Sequence, residues 1–353
     1  MAKKGPRPHT TAVDVARIAG VSQSAVSRAF TPGASVAPET RKLIRAAANK
    51  LGYRPNLVAR SLITRRSNLV GVVVPGTENP FYGSALDELS FGLAKFGLKV
   101  LLFSTDPATG SDPVVDEVLN YRVDALVLIS TTLSSHLSEE CQQLGLPVVM
   151  LNRKTDSGST SNVTGDNRRG SQLIAEFLLA AGHKRFAFLA GLEHSSTSRD
   201  REEGFMSKLV GGQVERRVAN YNFSASEEAT RSLLSARLRP DAIFCANDYM
   251  ALAALGVAQF EFGLQPGRDI SIVGFDDIEM SAWPQFSLTT YSQPVSQMVG
   301  LVIEVLRTHL SDPSAPSQRQ VVAGELIVRG SSRLPKKGLR QSGEKLIWSP
   351  AWV

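Results

Sequence analysis

From residue 68 onward the chain repeats one pattern: a short, nearly unbroken apolar run rich in β-branched residues, then a segment of helix length. Seven runs carry it: "LVGVVVP", "KVLLFST", "DALVLIS", "PVVMLN", "FAFLAG", "AIFCAN" and "ISIVGFDD". Continuous hydrophobicity, as opposed to alternation, marks strands covered on both faces, and the intervening helices are the crossovers that parallel strands need. Residues 68–340 are therefore expected to form a doubly wound α/β body, and more than six such strands imply two lobes. Ligands of these sheets sit where the strands' carboxyl ends give way to loops.

A different pattern precedes it. Residues 1–66 hold 13 of the 39 Lys and Arg residues but only Asp14 and Glu39 among the acids, a net +11, while the remainder is net −5. A small basic head on an acidic body is the electrostatic footprint of a nucleic-acid-binding module joined to something else, although a basic tail without structure would give the same count. Periodicity decides between them. Thr11 can cap a first helix and Asp14 completes a capping box. Ala12, Val15, Ala16 and Ala19 then fall on one helical face. Gly20 ends that helix where a positive φ is cheapest for glycine. Ser22 can cap a second helix that turns Val26 and Ala29 inward. Gln23, Ser24, Ser27 and Arg28 are left outside.

Loop composition follows in "TPGASVA". Pro38 opens a third helix with Ile44, Ala47, Ala48 and Leu51 inward and Arg41, Lys42 and Arg45 outward, and Pro55 is expected to stop it. Amide, hydroxyl and guanidinium groups on the second helix are what read base edges in a major groove, Arg suiting guanine and Gln adenine. Taken singly, the serines could be solvated or touch phosphate, and Arg28 could be a surface charge. Together, after a capped helix and a glycine, they predict a helix-turn-helix head over 1–54. In the next stretch, 55–67, Asn56 can cap a short helix from Leu57 to Ile63 with Arg60, Arg65 and Arg66 around it. That helix is either a packed linker or a minor-groove wedge.

The body's strand-end loops carry "GTENPFYG", with Phe81 and Tyr82 exposed by position. They also carry Asn152 in "LNR", Thr197 and Arg201, Phe223 in "YNF", Asn247 and Asp248 in "CANDYMA", and Asp276. Aromatics that can stack on a ring face, together with amides, carboxylates and an arginine, suit a small polyhydroxylated or anionic ligand. Each also has a structural alternative: Asn247 or Asp248 as helix cap, Phe223 as lobe packing, Asp276 as turn residue.

Other function classes lack their signals. There is no run of 18 apolar residues, so no membrane partner is expected. The basic N-terminus has no apolar segment behind it, which argues against secretion and against a transport protein, and the expected location is the cytoplasm. Cys141 and Cys245 read as buried free thiols of a reducing compartment. No nucleotide-binding, nucleophile-elbow or zinc-protease motif occurs, and His9, His136, His183, His194 and His309 lack metal-ligand spacing, so neither an enzyme nor a metal or other cofactor is expected.

The stretch "DVARIAGVSQSAVSRAF…SVAPETRKLIRAAANKLGYRPNLVARSL" resembles the DNA-binding head of the lactose-repressor (LacI/GalR) family of bacterial transcription regulators, and the resemblance continues to about residue 335. It implies a body like a two-lobed periplasmic sugar-binding protein, crossed by three strands. It puts Gln23, Ser24, Ser27 and Arg28 on DNA, joined by Thr40, Asn56 and Ala59, with Leu62 as the hinge leucine that opens a base step. It also puts Phe81, Asn152, Thr197, Arg201, Phe223, Asn247 and Asp276 at effector-contact positions, although some relatives carry Asp at the place of Asn152. Ala37 departs from the usual Ser or Thr helix cap. Function is then a ligand-responsive regulator, most simply a repressor. A homodimer would hold a near-palindromic double-stranded operator, switched by a sugar or sugar acid. After residue 335 there is no leucine heptad, so no tetramerising coiled coil is expected, and 341–353 reads as a tail.

Overall fold

The computed structural model of the chain describes residues 10–31, 33–55, 66–76, 78–105, 111–155, 160–209, 211 and 214–352. Asn56, Ala59 and Leu62, with the expected helix of 57–63, lie outside the described residues. The chain divides into two compact units, Met1–Ser67 and Asn68–Val353.

In the first unit, α1 (Ala12–Ala19), α2 (Gln23–Ala29) and α3 (Pro38–Leu51) close on Val15, Val26, Ile44 and four alanines. Thr11 and Asp14 form the reciprocal capping box, Gly20 ends α1 in the left-handed region, and the Ser22 hydroxyl accepts the Ala25 amide. Two expectations are corrected. Helix α3 is ended by Gly52 in the left-handed region, three residues before Pro55. Arg41 is half-buried and not a free outward charge: its guanidinium donates to the carbonyls of Ala29 and Ala34 at 2.9 and 2.8 Å, fastening the loop after α2 to α3. Ala37 makes no side-chain cap, as its missing hydroxyl requires.

The second unit starts with β1 (Leu69–Val74), β2 (Lys99–Ser104), β3 (Ala125–Ile129), β4 (Val148–Leu151) and β5 (Ser161–Gly165). It continues with β6 (Phe186–Ala190), β7 (Val214–Val218), β8 (Ala242–Cys245), β9 (Ser271–Asp276) and β10 (Thr289–Ser292). The helix Val295–Ser311 then leads to β11 (Arg319–Val322), β12 (Leu326–Ile327), β13 (Leu339–Ser342) and β14 (Lys345–Trp348). Lobe one is a parallel sheet in the order β11-β5-β4-β3-β1-β2. Its two faces have separate cores. Val70, Val72 and Val127 pack under the helices Pro80–Ala94 and Val295–Ser311, while Val73, Leu126 and Leu128 pack with residues of Asp112–Leu119 and Ser135–Gln143. Successive residues of β1 and β3 thus fill opposite cores, which is why these runs are apolar throughout. β2, at the sheet edge, is exposed or half-buried along its length and does not meet the expectation of a strand covered on both faces.

Lobe two is an eight-stranded sheet, β13-β14-β12-β10-β9-β8-β6-β7, parallel from β7 to β10 and antiparallel beyond. The antiparallel margin corrects the expected tail at 341–353. β13 and β14 form a hairpin around Gly343 and Glu344, and Trp348 is buried. Cys141 and Cys245 are buried free thiols. Among the described residues no helix is long and apolar enough to cross a membrane.

The chain passes between the lobes three times: after β5, after β10 and after β11. The passages lie side by side. Ser292 N–H donates to the Glu325 carbonyl at 2.8 Å, and the Asp166 N–H to that of Val322 at 2.9 Å. A Cβ on Gly324 would collide with the Ser292 carbonyl, so this close approach needs glycine.

Candidate functional site

The head presents one face of α2. Val26 and Ala29 point into the core while Gln23, Ser24, Ser27 and Arg28 are exposed. The Ser22 and Ser24 hydroxyls lie 2.9 Å apart, and Arg28 Nε donates to the Ser24 carbonyl at 3.4 Å. That bond lays the arginine along the helix and leaves the outer guanidinium nitrogens for a partner. Thr40 is half-buried in the first turn of α3. This surface offers donors and positive charge on a short rigid helix.

In the body, a cleft of about 590 Å³ opens where the strands end. Pro75, Ser130 and Arg153 line it from the ends of β1, β3 and β4, and Ser195, Tyr221 and Tyr249 from lobe two. An inner recess shares Tyr82, Ser130, Arg153 and Tyr221 with it, and adds Asn152, Thr197, Arg201, Asn247 and Asp276. Five sequence-predicted residues are therefore brought together. Local backbone accounts for the convergence: Ser130, Asn152, Asn220 and Tyr221 have φ between 53° and 60°, and Asp276 has φ 134°. Non-glycine residues held at positive φ mark strained turns of the kind that gather at functional sites.

Two expected contacts are corrected. Phe81 is not exposed; it is buried in the core cluster of lobe two, although it starts a helix of lobe one, and the cleft is faced by Tyr82. Phe223 does not line the cleft either. It packs against Tyr249 with ring centroids 5.3 Å apart, and Tyr249 carries the lining. Asn247 both caps the helix Asp248–Gly256, accepting the Met250 amide at 3.0 Å, and lines the recess. Asp248 sits behind the recess, accepting from Thr290, Ser281 and the Ile278 amide at 2.6, 2.7 and 3.0 Å. Arg153 and Tyr221 are additions the sequence reading passed over, although "LNR" and "YNF" contain them.

Arg201 organises the recess. Its Nε donates to Asn167 Oδ1 at 2.8 Å, its Nη1 to the Ala246 carbonyl, and its Nη2 to Asp276 Oδ1 at 3.3 Å. The guanidinium carbon lies 3.8 Å from the Phe275 ring centroid, a buried cation–π contact. Asp276 also accepts from Gln293 Nε2 at 2.7 Å, on the second interlobe passage. Burial pushes the Asp276 carboxyl up to about 6 against the pull of Arg201 and Gln293. Burial and the charge of Asp276 push Asp248 up to about 7. Burial raises Tyr82 to about 12, whereas for Tyr221 the effect of burial is outweighed by Arg153 and Arg201, which leave the phenol below its ordinary value.

These shifts predict a pH dependence. Both carboxyls bind protons more readily folded than unfolded, so their contribution is present at low pH and lost as pH rises through the folded values. Buried His183 and half-buried His309 are shifted down, which acts in the opposite sense below about 6.5. Urea midpoints of the full chain should therefore rise as pH falls from about 8 to about 6.5. A flat or falling series over that window would remove the assignment.

Comparison with known proteins follows the same division. Residues 11–56 match the family described as bacterial regulatory proteins, lacI family, and residues 175–332 match the periplasmic binding protein-like domain. The ribose operon repressor of Escherichia coli K12 is 30% identical over 332 residues, 91% of this chain and 99% of that protein. The "Probable HTH-type transcriptional repressor ExuR" of Bacillus subtilis strain 168 is 29% identical over 336 residues, covering 92% and 98%. Among solved structures, the lac repressor dimer bound to operator and the anti-inducer ONPF superposes with a TM-score of 0.81 at 26% identity, covering 92% of this chain and all of that one. Matches that run through head and body together reflect a shared architecture and not one borrowed domain, and on that ground the chain belongs to the lacI family of bacterial regulatory proteins.

Proposed function

We propose that this regulator is a cytoplasmic repressor that binds a near-palindromic duplex operator as a homodimer and is switched by a small sugar or sugar acid in the interlobe cleft. The observation that carries the reading is one chain holding both an exposed, uncrowded reading helix and a cleft of ligand size lined by buried polar groups. Dimerisation draws support from Phe91 and Phe260, which are 73% and 87% exposed, and from Leu102 on β2, the open edge of the lobe-one sheet. No cofactor takes part. The ligand acts only to the extent that it binds one arrangement of the lobes better than another, and a coupling of about 1–3 kcal/mol is the usual range.

Gln23, Ser24 and Arg28 are assigned to base edges, with Ser27 and Thr40 toward the backbone of the duplex. The test uses an operator selected from random duplexes and fluorescence anisotropy at fixed salt. Arg28→Ala should cost roughly 1–3 kcal/mol on the selected site and relax the preference at one base pair. A loss of equal size on every duplex would move Arg28 to the phosphates, and no salt-dependent binding to any duplex would end the proposal.

A further inference from the structure

We infer that the effector is a polyhydroxylated monocarboxylate and that Arg153 is the seat of its carboxylate. This rests on the reading of the cleft as the effector site and narrows it to a charge class. Arg153 is 3% exposed, lines both the cleft and its inner recess, and makes no ion pair among the described residues. Among the described residues its one hydrogen bond is a long one, Nη1 to the Asn152 carbonyl at 3.4 Å, and its Nε has no partner there. A guanidinium in this position has been taken out of water with only a long hydrogen bond and a ring contact in return, which is costly unless something else supplies the counter-charge.

The neighbouring charges do not supply it. Asp276 is already held by Arg201 and Gln293. Glu193 pairs with Arg216 at 3.2 Å, Asp200 pairs with Lys154 at 2.6 Å, and Glu78 is exposed at the rim. The recess therefore holds two guanidiniums and one carboxylate, a surplus of a single positive charge. A second observation points the same way. The N-caps of four helices, Asn79, Ser195, Asn222 and Asn247, all line the cleft or its recess. Four helix N-termini thus contribute their partial positive charge to one space.

The charge to be matched is one. A carboxylate carries it and takes two parallel N–H donors from a guanidinium, here Nε and an Nη nitrogen. A phosphomonoester, with about −1.5 to −2, exceeds the one surplus formal charge, and the titration sets it against the monocarboxylates. The rest of the ligand meets hydroxyl and amide groups. The Asn152 carboxamide oxygen Oδ1 and the Thr131 hydroxyl are buried without partners among the described residues, poised for ligand hydroxyls. Tyr82 and Tyr221 offer ring faces, with the Arg153 guanidinium carbon 5.6 Å from the Tyr221 centroid.

The experiment is calorimetric titration of the full chain with D-gluconate, D-glucuronate and D-galacturonate, with the neutral parents D-glucose and D-galactose, and with D-glucose 6-phosphate. At least one monocarboxylate should bind roughly 100-fold more tightly than its parent, and Arg153→Gln should remove that advantage while Arg153→Lys keeps part of it. Because Arg153 makes no ion pair among the described residues and feels Asp276 only at a distance, Arg153→Gln should not lower the melting temperature of the ligand-free chain. A neutral sugar or the phosphate binding more tightly than every acid overturns the charge assignment. So does an equal loss of acid and parent in Arg153→Gln, or a fall in its melting temperature. If a neutral sugar releases the operator, the regulator reading stands without this inference; if nothing in the panel binds or alters operator affinity, both fall.

Discussion

Arg201→Ala is expected to destabilise the body by about 3–5 kcal/mol, the cost of breaking a buried ion pair and leaving one partner uncompensated. Arg201 is 2% exposed and Asp276 is 4% exposed, so water cannot take over the lost contacts. Truncation would leave Asp276 with Gln293 as its remaining side-chain donor, and would deprive the Asn167 amide oxygen and the Ala246 carbonyl of theirs. It would also strip the Phe275 ring of the guanidinium stacked on it. In urea, the midpoint should fall with the slope unchanged. Arg201→Lys should sit between, since it keeps the charge and loses the fork. Arg201→Ala combined with Asp276→Asn should cost much less than the two single changes added together, because the uncompensated charge is gone. An Arg201→Ala protein as stable as its parent would make this arginine a ligand contact and nothing more.

Under the proposed function, the same cluster would let a ligand in the cleft be felt between the lobes. Arg201 holds Asp276, Asp276 holds Gln293, and Gln293 lies on the second passage, with its carboxamide oxygen 2.5 Å from where a Cβ of Gly165 on the first passage would stand. That oxygen has no hydrogen-bond partner among the described residues. A ligand that draws on Arg201 or Asp276 therefore competes with contacts that set the passages, which is a differential interaction of the sort a population shift requires.

What could be read from the sequence, and what could not, divides by physical cause. The strands that pack on both faces announce themselves as apolar runs, and the capped helices of the head announce their ends through Thr11, Ser22 and Gly20. β5, "SNVTG", is fully buried yet polar. Ser161 is satisfied by His309 at 3.0 Å and by the Gln318 amide, and its neighbour Thr160 by Ser138 at 2.7 Å. β10, "TTYS", is buried in the same way, with Thr289 and Thr290 bonded to Arg329 and Asp248. Partners more than 20 residues away in sequence carry no local signal. In the cleft the ambiguity is angular. Phe81 and Tyr82 are consecutive on a helix, about 100° apart, so one fills the core and the other faces the cleft. Chemistry alone ranks Phe81 and Tyr82 equally, and only the packed helix tells them apart.

Trp348→Ala should cost about 3–5 kcal/mol, the range for truncating a large buried aromatic. The residue belongs to a stretch that looks like a tail, since "PKKGLRQSGEKLIWSPAWV" mixes charged, Gly and Pro residues with no leucine heptad. Two four-residue strands hide in it, joined by Gly343 and Glu344, with Gly343 at φ 57° as a two-residue hairpin loop favours. Trp348 pairs with Leu326 on β12 and meets Phe177 edge-to-face at 5.6 Å, and its indole N–H donates to the Lys337 carbonyl at 3.0 Å. Removing the ring would open a cavity against the helix Asn167–Ala180 and loosen β14, exposing the two-residue β12 as a sheet edge. Trp348→Phe should recover most of the loss, because a six-membered ring still fills most of the space, although the hydrogen bond and part of the indole ring go. Equilibrium unfolding in urea would show the order wild type, Phe, Ala. An alanine variant that unfolds with the wild-type midpoint would mean that the C-terminal hairpin rests on the lobe without supporting it.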